Sequence, residues 1–318
     1  MGFMESTTRG KLTVANTNIY WLHALTPLHV GTGQGTGFID LPIMREKITQ
    51  WPIVPGSSVK GVLADANQAT SDKRKADIWL KAAFGITDNH QERPEDKDNA
   101  GSLVFTDARI VCMAVRSLFG TFAWVTSPLA LQRFSRDLAA AGINSLPGHC
   151  SIQADAIHLP EGTISALEET GKVYLEDLDF AVVQCNCAKQ WVGKLATWIF
   201  PDEKDEWRDI FTKRFAILPD SSFDYLCEMG TEVNARIRID EQRKIVQRGA
   251  LWYEESLPAE TILAGLVWCD KVFSSNQDIT PAKLLEKYCT GSRVDLQIGG
   301  KASVGKGRVR CIFNKGGR

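Results

Sequence analysis

From Val233 to Ile239 the chain alternates strictly: Val233, Ala235, Ile237 and Ile239 are apolar, while Asn234, Arg236 and Arg238 between them are polar. Period-two alternation places the two sets on opposite faces of one strand. The polar run Asp240-Glu241-Gln242-Arg243 makes a tip, and Lys244 to Trp252 returns as a second strand. Residues 228–255 are therefore read as one long β-hairpin. It commits this part of the chain to antiparallel pairing and argues against a doubly wound parallel sheet. Arg236, Arg238, Lys244 and Arg248 lie on it. Those cations suit gripping a polyanion and equally suit a solvated surface, and the alternation leaves both readings open.

Other segments agree with a mixed architecture. Asn18 to Thr26 and Thr261 to Cys269 have the apolar density of buried strands, and Gly101 to Met113 reads as a strand with Asp107 and Arg109 on one face. Helices are expected over Ser57–Thr70, Asp77–Phe84, Leu129–Ala141, Cys187–Phe200 and Pro281–Tyr288, with Gly85 closing the second. The polar run from Thr87 to Ala100 reads as a surface loop. Glu161 to Asp179 carries six acids and one lysine and reads as part of an insertion over residues 144–180. Strands, hairpins and helices mixed irregularly define an α+β antiparallel fold.

One stretch stands apart. Leu28 to Gly61 begins with glycines at alternating positions, Gly31, Gly33, Gly35 and Gly37, which let a backbone approach a ligand closely. Asp40 follows with no other acid before Glu46. Then Gly56-Ser57-Ser58-Val59-Lys60 reads as a helix start with Ser57 as its cap. Helix N-termini carrying Ser and Lys hold phosphates. A lone aspartate among turn residues forms turns more often than it does chemistry, and spacing alone leaves Asp40 in that role.

The C-terminal glycine turn, Leu296 to Phe313, lies in the most basic segment: Arg293 to Arg318 holds seven Lys/Arg against one acid. Gly300 to Lys306 falls one residue short of a P-loop, with Gly307 where the metal-binding Ser/Thr belongs, so an NTPase is rejected. The loop is read as backbone amides with Lys301 and Lys306 presented to a phosphate chain. Gly33-x-Gly35 lacks the third glycine of a dinucleotide fingerprint, and Ser57 lacks a nucleophile elbow. The net charge of −1 does not advertise a nucleic-acid binder, yet a local basic patch suffices for phosphate contacts. Among eight cysteines only Cys185 and Cys187 are close in sequence, so buried free thiols are expected in a reducing cytosol. The polar N-terminus and the lack of a long apolar run argue for a cytoplasmic protein without a membrane span.

Four blocks together carry a family resemblance: LHVGTGQGTGFIDLPIMRE, then PIVPGSSVKGVL, then TEVNARIRIDEQRKIVQRGALWYEESLPAE, then LQIGGKASVGKGRV. They resemble the RAMP-superfamily backbone subunit of type III CRISPR effector complexes, with IDLPIMRE and GALWYEE most similar to the type III-B (Cmr) form. The resemblance spans the whole chain and implies one domain over residues 1–318. Its expected fold is a modified ferredoxin-like, RRM-type palm with residues 228–255 as a protruding thumb and helical insertions.

The resemblance also implies a function. Copies of such a subunit stack along guide RNA, beside a large polymerase-like subunit and small helical subunits. Their thumbs splay out nucleotides of a complementary target RNA, which is cleaved at regular intervals with a divalent cation, Mg²⁺ or Mn²⁺. The catalytic and metal-holding aspartate falls on Asp40 and a loop histidine on His29. Expected RNA contacts are Gly33, Gly35, Arg45, Ser57, Ser58, Lys60, Arg236, Arg238, Lys244, Arg248, Tyr253, Glu254, Gly299, Gly300, Lys301, Ser303 and Lys306. Two other readings remain: a structural filament subunit without nuclease activity, and the type III-A paralogue. One departure is Ala64, where the family commonly has arginine after KGVL.

Overall fold

The apolar run ahead of the glycine loop forms the strand Thr17–Ala24, buried along all eight residues. In this computed structural model residues 16–33, 35, 37–67, 77–86, 99–240, 242–243, 246–274, 276–291 and 293–315 are described. The expected loop over Thr87–Ala100 falls mostly outside them, as does Lys244 at the hairpin tip. Thr17–Ala24 pairs antiparallel with Arg308–Lys315 on one side and Ile262–Trp268 on the other, and the latter pairs antiparallel with Ala108–Arg116. Taken as palm strands in chain order, their order across the sheet is fourth, first, third, second. Helix Gly56–Ala66 follows the first strand and Pro281–Tyr288 the third. This is the ferredoxin-like arrangement.

The central strand shows why a half-polar pattern is absent there. Tyr20, Leu22 and Ala24 join a core with Val59, Leu63, Leu284 and Leu285 of the two palm helices. Ile19 and Trp21, on the alternate face, pack in a second core with helices Pro128–Ala140 and Asn186–Ile199, through Leu131, Phe134, Trp191 and Leu195. A strand covered on both faces is apolar along its middle, and the polar residues toward its ends are paired: Asn18 donates to the Cys289 carbonyl at 2.8 Å and His23 meets Glu260 at 2.6 Å. Trp191 is core, as its helical spacing predicts.

Beyond Ala108–Arg116 the same sheet continues through Phe122–Thr126, Phe215–Ile217, Ala156–Pro160, Leu178–Cys185 and Lys172–Leu175. The acidic stretch Glu161–Asp179 lies in this extension and supplies part of its edge. Lys172 and Asp179 pair across it at 2.9 Å.

Three local expectations are corrected. The strand expected from Gly101 is broken: Val104–Phe105 and Ala108–Arg116 are separate, and Asp107 turns its carboxylate onto the amide of Gly56 at 2.9 Å. Arg109 is held by Glu46 at 3.2 Å and Asp137 at 3.0 Å. The helix begins at Gly56 with Pro55 as cap, so Ser57 lies inside its first turn and caps nothing. Gly56 is needed because a Cβ there would stand 2.3 Å from the Phe105 carbonyl oxygen. Finally, Cys150 and Cys187, 37 residues apart, form a disulfide. Of the remaining thiols, five are buried and Cys185 is half-buried, as expected of free cysteines.

Candidate functional site

The hairpin strands are Glu232–Ile239 and Val246–Ser256. The base of the second is sewn to the glycine loop. Leu28 and Leu257 exchange backbone hydrogen bonds at 2.9 Å in both directions, Leu41 N donates to Tyr253 O, and Glu255 N donates to Leu41 O, both at 3.0 Å. Between these seams the Tyr253 amide donates to Asp40 Oδ2 at 2.7 Å, while Gly35 N donates to the Asp40 carbonyl at 2.9 Å. Asp40 is exposed yet fixed by a residue 213 positions away. A Cβ on Gly35 would stand 2.5 Å from the Ile39 carbonyl oxygen, so the loop closes this tightly only with glycine there.

Asp40 opens into a cleft of about 470 Å³ lined by Gly35, Leu41, Arg238, Gly249, Leu251, Trp252 and Lys301. Three distant segments thus meet: the glycine loop brings the carboxylate, the hairpin Arg238, and the C-terminal loop Lys301. Phe38, 78% exposed, stacks on Tyr253 at 4.9 Å between ring centroids, on the hairpin side of the loop. Trp252 turns its buried indole Nε1 to no hydrogen-bond partner among the described residues. Phe38 and Trp252 are site residues that sequence reasoning passed over. The signal for Phe38 was there: a lone aromatic ring among turn glycines, two residues before Asp40.

Beneath the cleft is a buried ionic layer. Glu254, 1% exposed, pairs with Lys306 at 2.7 Å and Lys301 at 3.3 Å, with Arg236 at 3.9 Å. Burial pushes the Glu254 carboxyl up, but the two lysines outweigh it and leave the group below its ordinary range. Lys306 also donates to Ser256 Oγ at 2.6 Å and is itself buried. Its ammonium, expected on a phosphate chain, therefore belongs to the hairpin base. Glu254, expected at the RNA, is its buried counter-ion.

Arg45 is revised in the same way. It donates to Glu255 at 2.6 Å and to the Gln50 and Cys227 carbonyls at 2.7 and 2.9 Å. Glu255 also accepts from Thr231 Oγ1 and Ile43 N, both at 2.9 Å, so this pair ties the loop to the hairpin.

His29 is buried, with Nδ1 bonded to the Glu255 carbonyl at 2.6 Å, and it is absent from the cleft lining. Its carbonyl accepts from Gly300 N at 2.9 Å. The structure thus gives it a positioning place rather than the expected proton-handling one: it joins the glycine loop, the hairpin and the C-terminal turn. Gly299 beside it has φ +80°, and a Cβ would meet the His29 carbonyl oxygen at 2.3 Å. Gly299→Ala is therefore expected to lower stability by about 2 kcal/mol or more, since φ strain and a backbone clash combine. Chemical denaturation checks it.

The remaining expected contacts are scattered. Gly33, Gly300 and Ser303 are exposed, and Ser57 and Ser58 lie at the start of the palm helix. Lys60 in that helix donates to the Leu103 carbonyl at 2.8 Å. None of these lines the Asp40 cleft. Arg248 lies in the second hairpin strand.

A ferredoxin-like palm, extended at one edge, with a hairpin whose base fixes an exposed carboxylate in a cleft lined by cations, defines a palm-and-thumb protein. The chain belongs to the RAMP superfamily, whose model matches residues 21–310. It is 35% identical over 306 residues to the CRISPR system Cmr endoribonuclease Cmr4 of Pyrococcus furiosus, covering 93% of this chain and 96% of that protein. The crystal structure of oligomeric Cmr4 from Pyrococcus furiosus superposes with TM-score 0.68 at 26% identity, over 95% of this chain and 99% of that one. A subunit in the cryo-EM structure of type III-B Cmr-beta bound to cognate target RNA shares the fold at TM-score 0.66 and 19% identity, over 93% and 96% of the two chains. The type III-B, Cmr-type resemblance read in the four sequence blocks is thus upheld.

Proposed function

We propose that this chain is a guide-RNA-binding backbone subunit of a type III-B CRISPR complex and cleaves complementary target RNA at the Asp40 cleft. The observation that carries the reading is the convergence of Asp40, Arg238 and Lys301 from three separate segments, in a relative of a Cmr endoribonuclease. Its partners are guide RNA, target RNA, further copies of the chain, a large polymerase-like subunit and small helical subunits, in the cytoplasm. No described helix is long and apolar enough to cross a membrane.

The chemistry follows from the geometry. In a stacked duplex a ribose 2′-OH cannot align with its neighbouring phosphate, whereas an unstacked nucleotide can. Asp40 takes the 2′-OH proton, the 2′-oxygen attacks phosphorus, and the bond to the 5′-oxygen breaks; the departing 5′-oxygen takes a proton from solvent water, leaving a 2′,3′-cyclic phosphate and a 5′-OH end. Arg238 and Lys301 offset the charge that develops on the phosphate. The Tyr253 amide holds the carboxylate in place throughout.

The described residues contain no cluster of three or more His, Cys, Asp or Glu side chains suited to a metal ion. A lone carboxylate still fits Mg²⁺ or Mn²⁺, because such ions keep several waters and share substrate phosphate oxygens. Asp40 would supply the protein oxygen, and the cation would add charge stabilisation at the phosphate. The test uses the assembled complex and end-labelled target RNA with Mg²⁺ or with EDTA. Regularly spaced products with Mg²⁺ that vanish in EDTA are expected. An intact target under both conditions would leave the purely structural subunit standing.

A further inference from the structure

Phe38 is the exposed aromatic ring nearest in sequence to Asp40, and among the described residues it stays 78% exposed with Tyr253 stacked against it. Exposed aliphatics such as Ile48 and Ile164 stand elsewhere, but Phe38 is held: its ring lies 29° from the plane of Tyr253. The same Tyr253 supplies the amide that fixes Asp40. Ring and carboxylate therefore share one anchor, and one face of the pair stays open. On the hairpin, Tyr253 lies opposite Ala235, and Leu251 opposite Ile237, so an apolar surface continues from the rings along the thumb. Leu251 and Ile237 are each about half exposed.

A ring with one open face beside a cleft lined by Arg238 and Lys301 matches the two halves of a nucleotide. Its base stacks on an aromatic without regard to sequence, and its phosphate meets the cations. We propose that Phe38, backed by Tyr253, is a positioning residue that stacks the nucleobase of the unstacked target nucleotide whose 2′-OH faces Asp40. The inference rests on the endoribonuclease reading above. It gives the loop a second role, in which the sugar is fixed through the base so that the 2′-oxygen stays in line with phosphorus.

The experiment uses assembled complexes and a target RNA with 2-aminopurine at the nucleotide on the 5′ side of a cleavage position. Its ribose is 2′-deoxy, which removes the nucleophile while leaving Asp40 intact. Stacking quenches the probe, so Phe38→Ala is expected to raise its emission several-fold, and Phe38→Tyr to restore the quenched state. On an all-ribose target Phe38→Ala is expected to slow cleavage about tenfold or more, the size of one lost base–aromatic stack. Equal emission from wild type and Phe38→Ala would overturn the proposal. So would failure of the Phe38→Ala chain to assemble on guide RNA, which would assign the ring to contact with a neighbouring copy. Cleavage of the 2′-deoxy target at the substituted position would instead sink the parent mechanism and leave the emission result standing on its own.

Discussion

Asp40→Asn is expected to slow target cleavage by at least about 10²-fold, the contribution of a positioned acid–base group, while guide and target binding stay near wild type. The substitution is nearly isosteric, and its amide oxygen can still accept the Tyr253 N–H that the carboxylate takes at 2.7 Å. The loop seam at Leu41, made by backbone atoms alone, is untouched. What disappears is the negative charge and the capacity to take a proton. Binding should survive because the cleft cations and the rest of the RNA path are unaltered. Single-turnover cleavage of end-labelled RNA, with binding measured in parallel, separates the two. A rate within a few-fold of wild type would remove Asp40 from the chemistry.

Glu254→Gln is expected to cost about 3 kcal/mol of stability, because it strands the Lys306 ammonium, which is 5% exposed, without its counter-ion. Lys301 contributes less, since a third of its side chain reaches solvent. The double variant Glu254→Gln with Lys306→Met removes both members of the closest pair and should recover most of the loss, as replacing a buried pair is cheaper than halving it. Chemical denaturation of the isolated chain measures both. Linkage gives the pH signature. The folded carboxyl titrates below its ordinary 4.5, so its contribution is complete above that value and is lost as pH falls through the lower folded one. The wild type should therefore lose more stability on acidification than Glu254→Gln. Equal acid sensitivity would mean that the ionic layer does not hold the hairpin base.

The sequence was most legible where a local period decides structure. Alternation located the first hairpin strand and the polar tip implied the second, which among the described residues runs Val246–Ser256, past the expected end at Trp252; the helix expected over Pro281–Tyr288 has those bounds. Apolar runs located the palm strands, but their order across the sheet depends on pairings between remote segments, such as Thr17–Ala24 with Arg308–Lys315. The three-residue strand Phe215–Ile217 of the extension is too short to carry a period at all.

The site divides along the same line. Glycines, Asp40 and basic residues can be seen in the sequence, whereas their partners cannot. Lys301 and Lys306 look alike in a glycine-rich turn and both reach Glu254, far away in the chain, yet Lys301 stays a third exposed and lines the cleft while Lys306 is buried. Asp40 passes for a turn residue until Tyr253 is found holding it. Cys150 and Cys187 had no neighbouring motif to betray their pairing.

Each copy of this chain is expected to cut target RNA with its own Asp40. The most direct test is a series of complexes assembled from wild-type and Asp40→Ala chains mixed in known ratios on one guide RNA, with initial product yield mapped at each cleavage position. Yield at every position should fall in proportion to the wild-type fraction, while the spacing between products stays constant. A product ladder of undiminished intensity in complexes made wholly of Asp40→Ala chains would contradict this expectation.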